Sequence, residues 1–590
     1  MQIWRRLTSA GLSVVLGALV LGVSACSVLF ALEADQCSVH SDCQKFGAAL
    51  STCREGVCVA DAMTNGGAPA EGGSGGGGEA GAPEGNECDS NGQCIDQHFG
   101  QPFVCQQGTC VALTTPACPL VVGAENLRAL EPIVFGAYTL APDAVSKSVV
   151  TRNIELVISE FTGKVTGLRG GPNGSRRTLA FVICNSYFPD VAPGTIDAFQ
   201  PSLEHLVDTL HVPGIIAALG AKDLQAVFGQ KLDASNTFVI SPYEQDSELS
   251  ALSDDGRLWH MLGATTDLAP AFAPLLKRTE EYLRRDESFL KLPGAGAPLR
   301  LALVTANVAR ELDVRDALVA LPELLDFQVK TFQVESALLT SSPDVSTVTD
   351  SLLDYGPHLI VALAGSEFIE GVFPGLETGS VWSTRTGGQQ RPMYVMGSTM
   401  APQTWSLYSG KQGDPGGWKS LLDRIVGVAY ASAEDQRLLG SYELRLIEAS
   451  ADLPDPSLVL GAESVYDATY LMIYAAAAAG DVPTLTGKEL ATGVRRLVEG
   501  SPYDVGPSSI SRVLTALDNA EDLGLTLTLG AADWNVQRGT RTGRGSVYCL
   551  NNGAFDFETD FPSGPNRDAL RFDPVTGTLE EKPLPCIPNF

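Results

Sequence analysis

The chain has 590 residues, of which 44% are hydrophobic and only 18% charged, so it can build two or three compact units with apolar cores. Its 69 acidic and 40 basic side chains leave a formal charge of −29, which argues against nucleic acid or an anionic membrane surface as a partner. Six histidines are scattered without ligand spacing, no Gly-x-Ser-x-Gly elbow stands between a strand and a helix, and no His-Glu-x-x-His pair occurs. An enzyme is therefore not expected, and no cofactor, metal or catalytic residue is assigned.

At the N-terminus Arg5 and Arg6 precede an uncharged run from Leu7 to Val23, and the small residues Ser24 and Ala25 then lead into Cys26. This is the grammar of a secretory signal peptide over residues 1–25. Val23-Ser24-Ala25-Cys26 resembles the lipobox of bacterial lipoproteins. That resemblance implies lipidation of Cys26, a lipid-anchored start over 26–36, and a membrane reached through the anchor. Ser27 in place of Asp favours the outer membrane, on its periplasmic or surface face, over the inner membrane.

Of 13 cysteines, 12 remain once Cys26 is set aside. Eight form an internal repeat: Cys37, Cys43, Cys53 and Cys58 are separated by 5, 9 and 4 residues, and Cys88, Cys94, Cys105 and Cys110 by 5, 10 and 4. An oxidising location makes disulfides the expectation, and no Cys-x-x-Cys or His-x3-His spacing supports zinc. Modules of this size, at 37–60 and 88–112, are too short to bury a core without cross-links. Four cysteines allow three pairings, which remain open. Between the modules the Gly-rich segment 61–87 reads as a solvated linker. Lipid, module, linker and module in that order describe a stalk.

From Cys118 onward, apolar runs alternate with helical spacing. Strands are predicted at 132–138, 178–184, 212–219 and 237–241, with helices at 149–162, 199–210 and 223–232 between them. The pattern restarts with a strand at 299–305 and a helix at 314–321 that Pro322 ends. It continues through 328–332, 348–353, 358–363 and 392–396. Continuously apolar strands alternating with amphipathic helices imply parallel sheets covered on both faces. The fold class is α/β, with two doubly wound lobes joined by a hinge. Trp259-His260 falls near the first passage between lobes and reads as core or hinge packing. Gly413 to Ser420 approaches a P-loop, but Trp418 stands where a glycine must let the backbone meet phosphate.

Seven segments in order resemble the type I periplasmic binding proteins, which include the leucine/isoleucine/valine-binding proteins of ABC-type importers. They are Ile133–Tyr138, Gly214–Gly220, Phe238–Pro242, Leu301–Asn307, the Tyr466-Asp467-Ala468 helix, Thr486–Leu490 and Leu570–Gly577. The resemblance implies a first lobe over 119–257 and 433–525 and a second over 258–432 and 526–590. It also implies a cleft that closes on a small molecule. An ABC permease is then a possible partner. Cleft candidates, from strand ends and helix starts, are Tyr138, Asn185, Gly220, Ser241 and Tyr243 in the first lobe, with Asn307, Gly365 and Ser366 in the second. Each could instead serve a turn or a cap.

The chain departs from the amino-acid-binding members. Leu219-Gly-Ala-Lys-Asp223 replaces a Ser-rich loop, Tyr243 and Glu244 bring bulk and charge after Ser241-Pro242, and Gly397–Ala401 shows no acidic partner for a ligand ammonium. An amino acid or amide ligand is thus one option among several. Four further cysteines suggest two disulfides, Cys118 with Cys184 and Cys549 with Cys586, although a crossed pairing stays open. The function expected is a lipid-anchored solute-binding protein for ABC-type import. The alternative is a ligand-sensing or adhesive envelope lipoprotein on the same fold.

Overall fold

The computed structural model describes residues 52–54, 57–59, 87–128, 131–141, 144–170, 175–188, 191–192, 194–246, 248–249, 252, 254–285, 297–335, 345–365, 367–377, 380–397, 421, 424–430, 436–450, 462–531, 534–541, 545–549, 566–573, 576–584, 587 and 590. Two compact units divide the chain, one ending at Pro83 and the other running from Glu84 to Phe590. In the first, β1 (Thr52–Arg54) and β2 (Val57–Val59) pair antiparallel with Cys53 opposite Cys58. Cys26, Cys37, Cys43 and most of the glycine linker lie outside the described residues, as do Ser366, residues 398–420 and Cys586.

The second unit opens with the matching hairpin of the sequence repeat. Helix α1 (Asn91–Gln97), capped by Ser90, precedes β3 (Phe103–Gln106) and β4 (Thr109–Ala112), in which Cys105 faces Cys110. The turn between them puts Gln107 at φ 51° and Gly108 at 83°. Two positive φ values in succession are the hairpin geometry that an x-Gly pair favours. Disulfides join Cys88 to Cys105 and Cys94 to Cys110. The facing cysteines are therefore not bonded to each other. They staple the hairpin to α1 and to the turn before it, and being oxidised they offer no thiolate to a metal.

This second module is not a free link of a stalk. Ile95 and Val104 share one core with Tyr138 and Phe199 of the following lobe. Gln106 Nε2 donates to the Leu210 carbonyl at 3.4 Å, and a ring nitrogen of His205 bonds the Leu113 carbonyl at 3.0 Å. A module too small to cover its own apolar side has covered it against its neighbour. Cys118–Cys184 forms as expected and ties the module's exit to a strand end. Cys549 is also disulfide-bonded.

The first sheet starts with β5 (Leu120–Val122), β6 (Ile133–Thr139), β7 (Leu179–Asn185), β8 (Gly214–Ala217), β9 (Phe238–Ser241) and β10 (Leu258–His260). Strands β6 to β10 are parallel, in the order β7-β6-β8-β9-β10. Their side chains are buried almost throughout because helices cover both faces. Of these helices, α2 (Val149–Thr162) starts where Ser148 Oγ accepts the Thr151 N–H at 3.1 Å. Helix α3 (Gln200–Leu203) runs on through a wider turn to Thr209, and α4 (Ala221–Val227) follows Gly220.

Helix α5 (Ala269–Arg285) opens the second lobe, whose parallel core is β12-β11-β13-β14-β15. These strands are β11 (Leu299–Ala306), β12 (Phe327–Val334), β13 (Leu359–Ala362), β14 (Met393–Met396) and β15 (Ile425–Tyr430). Edge strand β12 alternates buried and exposed residues, unlike the continuously covered strands expected. Helix α6 (Ala309–Val319) begins five residues ahead of the expected 314, because its first turn is polar and carries no apolar period. Helix α7 (Ser346–Tyr355) covers the predicted segment at 348–353.

The chain then returns to the first lobe as α8 (Gln436–Ala449), α9 (Ala462–Ala478) and α10 (Gly487–Arg495). Nearly every side chain of α9 is buried. Glu160 of α2 holds the returning helices: it accepts from Arg445 Nε at 2.7 Å, from the Tyr466 hydroxyl at 2.8 Å and from the Tyr470 hydroxyl. A small sheet follows, with β16 (Ser501–Asp504), β17 (Leu523–Leu527) and β18 (Gly530–Ala531). Asp467 accepts the Thr528 N–H at 3.0 Å and its hydroxyl at 2.8 Å, which anchors the β17–β18 turn to α9. Strands β19 (Trp534–Asn535) and β20 (Thr540–Arg541) complete the first sheet beside β10. Antiparallel β21 (Gly545–Cys549), β22 (Asn566–Asp573) and β23 (Thr578–Leu579) extend the second.

The lobe boundaries shift accordingly. Leu258–His260 and Thr540–Arg541 both belong to the first sheet, so the passages follow His260 and Arg541 rather than 257 and 525. Strand β15 of the second sheet ends at Tyr430, and α8, packed on the first lobe, begins at Gln436.

Packing of α10 on α9 supplies a test of sign. A Cβ on Gly493 would sit 2.1 Å from the Ala475 carbonyl oxygen. An unencumbered helix glycine gains about 1 kcal/mol on replacement by Ala. Gly493→Ala should instead lose about 1–3 kcal/mol through overpacking, read as a lower urea midpoint at unchanged slope.

Candidate functional site

Open parallel sheets bind ligands beyond the carboxyl ends of their strands, where the strand order reverses. In the first lobe that point lies between β6 and β8, and in the second between β11 and β13.

The expected candidates divide there. Tyr138 is excluded: its side chain is fully buried under α3, with its hydroxyl 2.9 Å from Ser202 Oγ and its ring edge-on to Phe199. As the penultimate residue of β6 it points into the sheet's covering layer, not past its end. Asn185 does turn duty, with Oδ1 accepting the N–H groups of Ala141 at 3.2 Å and Tyr187 at 3.0 Å. Gly220 is exposed at the start of α4. Ser241 is buried, and its Oγ accepts the Glu244 N–H at 3.3 Å, closing the loop after β9. Tyr243 lies beside Glu463, and burial together with that charge raises its phenol well above the ordinary range. Asn307 follows the last residue of β11, Gly365 lies three residues past β13, and the Gly365 N–H points to Glu311.

Glu244, Arg310 and Glu311 were not among the candidates. Strand β9 ends in Ser241-Pro242 and releases a loop whose Glu244 receives the N–H of Ala221, at the start of α4, and of Gln245. The Gln245 carbonyl accepts the Thr265 N–H at 3.0 Å, which binds this loop to the passage leading into α5. On the second lobe, Arg310 and Glu311 lie in the first turn of α6. Glu311 Oε2 accepts the Ala306 N–H at 2.6 Å, and Arg310 Nη2 stands 3.7 Å from Glu311 Oε1. A pocket lies between these two side chains and an apolar wall of Leu268, Phe272, Val314 and Leu363.

Electrostatics link the two lobes at this point. Burial pushes the Glu244 carboxyl up to about 7, with Asp246 adding and Arg310 of the other lobe opposing. Burial likewise pushes Glu311 up to about 7, with Glu367 adding and Arg310 opposing. The charge of one guanidinium thus reaches both carboxyls. The sequence held the signal in Arg310-Glu311, a few residues past a strand end. Starting the helix at Val314 hid it in a loop.

Trp259 is wholly buried against Trp534, with ring centroids 4.9 Å apart, and serves packing. Beside it His260 is also buried, and burial lowers it to about 4.

No family model and no curated protein matches the chain. Its fold is similar to that of the solute-binding protein of an ABC transporter from Rhodopseudomonas palustris HaA2, in complex with p-hydroxybenzoic acid. The TM-score is 0.50 at 11% identity, covering 75% of this chain and 97% of that one. A second such protein from R. palustris, in complex with 4-hydroxybenzoate, aligns over the same shares with the same TM-score and identity. At 11% identity these likenesses concern the fold alone.

Raised carboxyls fix a pH response. Glu244 and Glu311 titrate near 7 in the folded chain and near 4.5 when free, so the fold holds protons that the unfolded chain has lost. Their contribution is complete below about 4.5 and disappears as pH rises through 7. His260 and His358, lowered to about 4, act oppositely but below 6.5. Between pH 6.5 and 8.5 each carboxyl should therefore cost about 1 kcal/mol. Urea unfolding across that window should show a shallower decline in Glu311→Gln than in the unmodified protein.

Proposed function

We propose that this is an extracytoplasmic solute-binding protein, anchored through Cys26, that closes its two lobes on a small molecule for delivery to an ABC-type importer. The observation that carries the reading is the meeting of Glu244 and Arg310. Each stands beyond the carboxyl end of its own sheet, and the guanidinium of the second lobe lowers the carboxyl of the first. A ligand seated there touches both lobes, and its differential affinity for the closed form drives closure. Both similar R. palustris proteins were seen with a hydroxybenzoate, which places small aromatic acids in the ligand panel.

A non-transport sensing or adhesive role on the same fold is the second reading. One observation favours it. The alignment covers 97% of the similar R. palustris protein but only 75% of this chain, so about a quarter of this chain has no counterpart there. The disulfide module packed on the first lobe adds bulk beside the binding body.

Two measurements test the proposal. Thermal melting of the full chain with hydroxybenzoates, leucine, amides, amines and sugars should reveal a binder that adds about 2.7 kcal/mol at 100 times its dissociation constant. The same binder should reduce the radius of gyration in solution scattering. A panel with no shift and no contraction counts against ligand capture. For the anchor, radiolabelled palmitate supplied to an expressing bacterium should label the protein and lose that label in Cys26→Ser.

A further inference from the structure

We propose that the first lobe carries a second small-molecule site, at the end of its sheet remote from the cleft, which takes an uncharged apolar molecule bearing a hydrogen-bond donor, of the phenol or indole kind. This inference goes beyond the ligand-binding reading above and is independent of it.

A cavity of about 260 Å³ opens between the last turn of α2, the loop that follows it, the start of β7 and the short helix Ala124–Arg128. Leu179 in its wall is the first residue of β7, whereas the cleft lies past the last, Asn185. The length of that strand, about 20 Å, separates the two. Ile158, Phe161 and Leu179 form a buried apolar floor, with half-buried Val165 beside them. A void of roughly 150 Å³ with walls of this kind accepts benzene. The larger one here has room for a ring and its substituent.

The loop that completes the wall is braced by the chain itself. The Val165 N–H donates to the Phe161 carbonyl at 2.9 Å, and Leu168 and Arg177 exchange backbone bonds at 2.9 and 2.8 Å. Arg176 Nη1 donates to the Gly167 carbonyl at 3.0 Å. Gly167 has φ 135°, and a Cβ there would stand 2.5 Å from the Arg177 carbonyl oxygen, so only glycine fits this turn of the wall. The cavity is preformed, as ligand sites usually are.

Its polar rim decides the chemistry. Asn126, Thr162, Thr166 and Thr178 contribute to the lining, and no charged side chain does among the described residues. A hydroxyl has one proton and two lone pairs. Thr162 donates its proton to the Ile158 carbonyl at 2.8 Å, and Thr178 to the Asn126 carbonyl at 2.7 Å. Both hydroxyls therefore retain acceptor capacity alone. An anion would face those lone pairs with no cation in the lining, and an ammonium would find no carboxylate. A neutral O–H or N–H on an apolar ring meets both the floor and the rim. Phe161 also packs on Tyr470 and Tyr474 of α9, with centroids 5.3 and 5.5 Å apart, so a bound ring extends an aromatic cluster already in place.

The test is ligand-observed NMR titration of the full chain with matched pairs, phenol with anisole and indole with N-methylindole, alongside benzoate and benzylamine. In at least one pair the donor should bind about fivefold tighter than its methylated partner, the worth of one hydrogen bond, and tighter than both ions. Thr162→Trp, on the exposed rim, should fill the mouth and abolish this binding, and Val165→Phe provides a second block if the first variant folds poorly. Thr162→Val or Thr178→Val should close the gap within the pair, while Arg310→Gln in the cleft leaves it unchanged. If the blocking variants bind as the unmodified chain does, or Arg310→Gln weakens binding, the ligand lies elsewhere and the site is overturned. If methylated partners or ions bind as tightly as the donors, or neither valine variant closes the gap, the donor assignment is overturned. If no probe binds, both fall.

Discussion

Glu160 is the knot on which the first lobe depends. Residues 149–162, 436–449 and 462–478 come together only after the chain has built most of a second lobe between them. One buried carboxylate accepts from Arg445, Tyr466 and Tyr470, which stand on two returning helices. Tyr442 adds a bond to Asn153 at 2.8 Å on the same α2 face. Removing one partner would strand a charge in the interior, so the cluster specifies register as well as adding stability. Hydrophobic burial of α9 supplies most of the driving force, but apolar contact is non-directional. The polar contacts determine how the returning helices are seated.

The same helix carries a second directional contact. Asp467, one residue after Tyr466 and so about 100° round the helix, holds the turn after Leu527. Burial raises its carboxyl to about 6, while the Thr528 and Leu529 donors hold it down. Adjacent residues of one helix thus reach back to α2 and forward to the last stretch before the chain leaves for the second lobe. This gives the Tyr-Asp-Ala segment a physical meaning: each polar member fastens a segment distant in sequence.

With the lobes so fixed, the cleft inherits its character from two loops. The loop after β9 is bound to the interlobe passage through Gln245 and Thr265, so Glu244 is placed by the hinge region itself. The first turn of α6 is placed by Glu311, whose carboxylate receives the end of β11. Electrostatic coupling across the gap therefore runs between two short, internally braced segments. Any change in lobe spacing alters the field that Glu244 and Arg310 exert on each other.

Sequence alone determined the alternation of buried strands and amphipathic helices, because continuous apolar runs and 3.6-residue spacing are local properties. Helix α2 falls on its predicted limits, and Ser241-Pro242 ends β9 as expected. The cysteine repeat predicted two like modules, and both end in hairpins with facing cysteines. Pairing, however, was decided by the fold: Cys88 and Cys94 come from outside the hairpin to meet its cysteines. Tyr138 read as a cleft residue because it nears a strand end, but strand side chains alternate in direction, and its neighbours put it under α3. Glu244 and Arg310 are 66 positions apart and belong to different lobes. No local pattern joins them. Their relation arises only when two sheets, each assembled around its own core, turn their carboxyl ends toward one cleft.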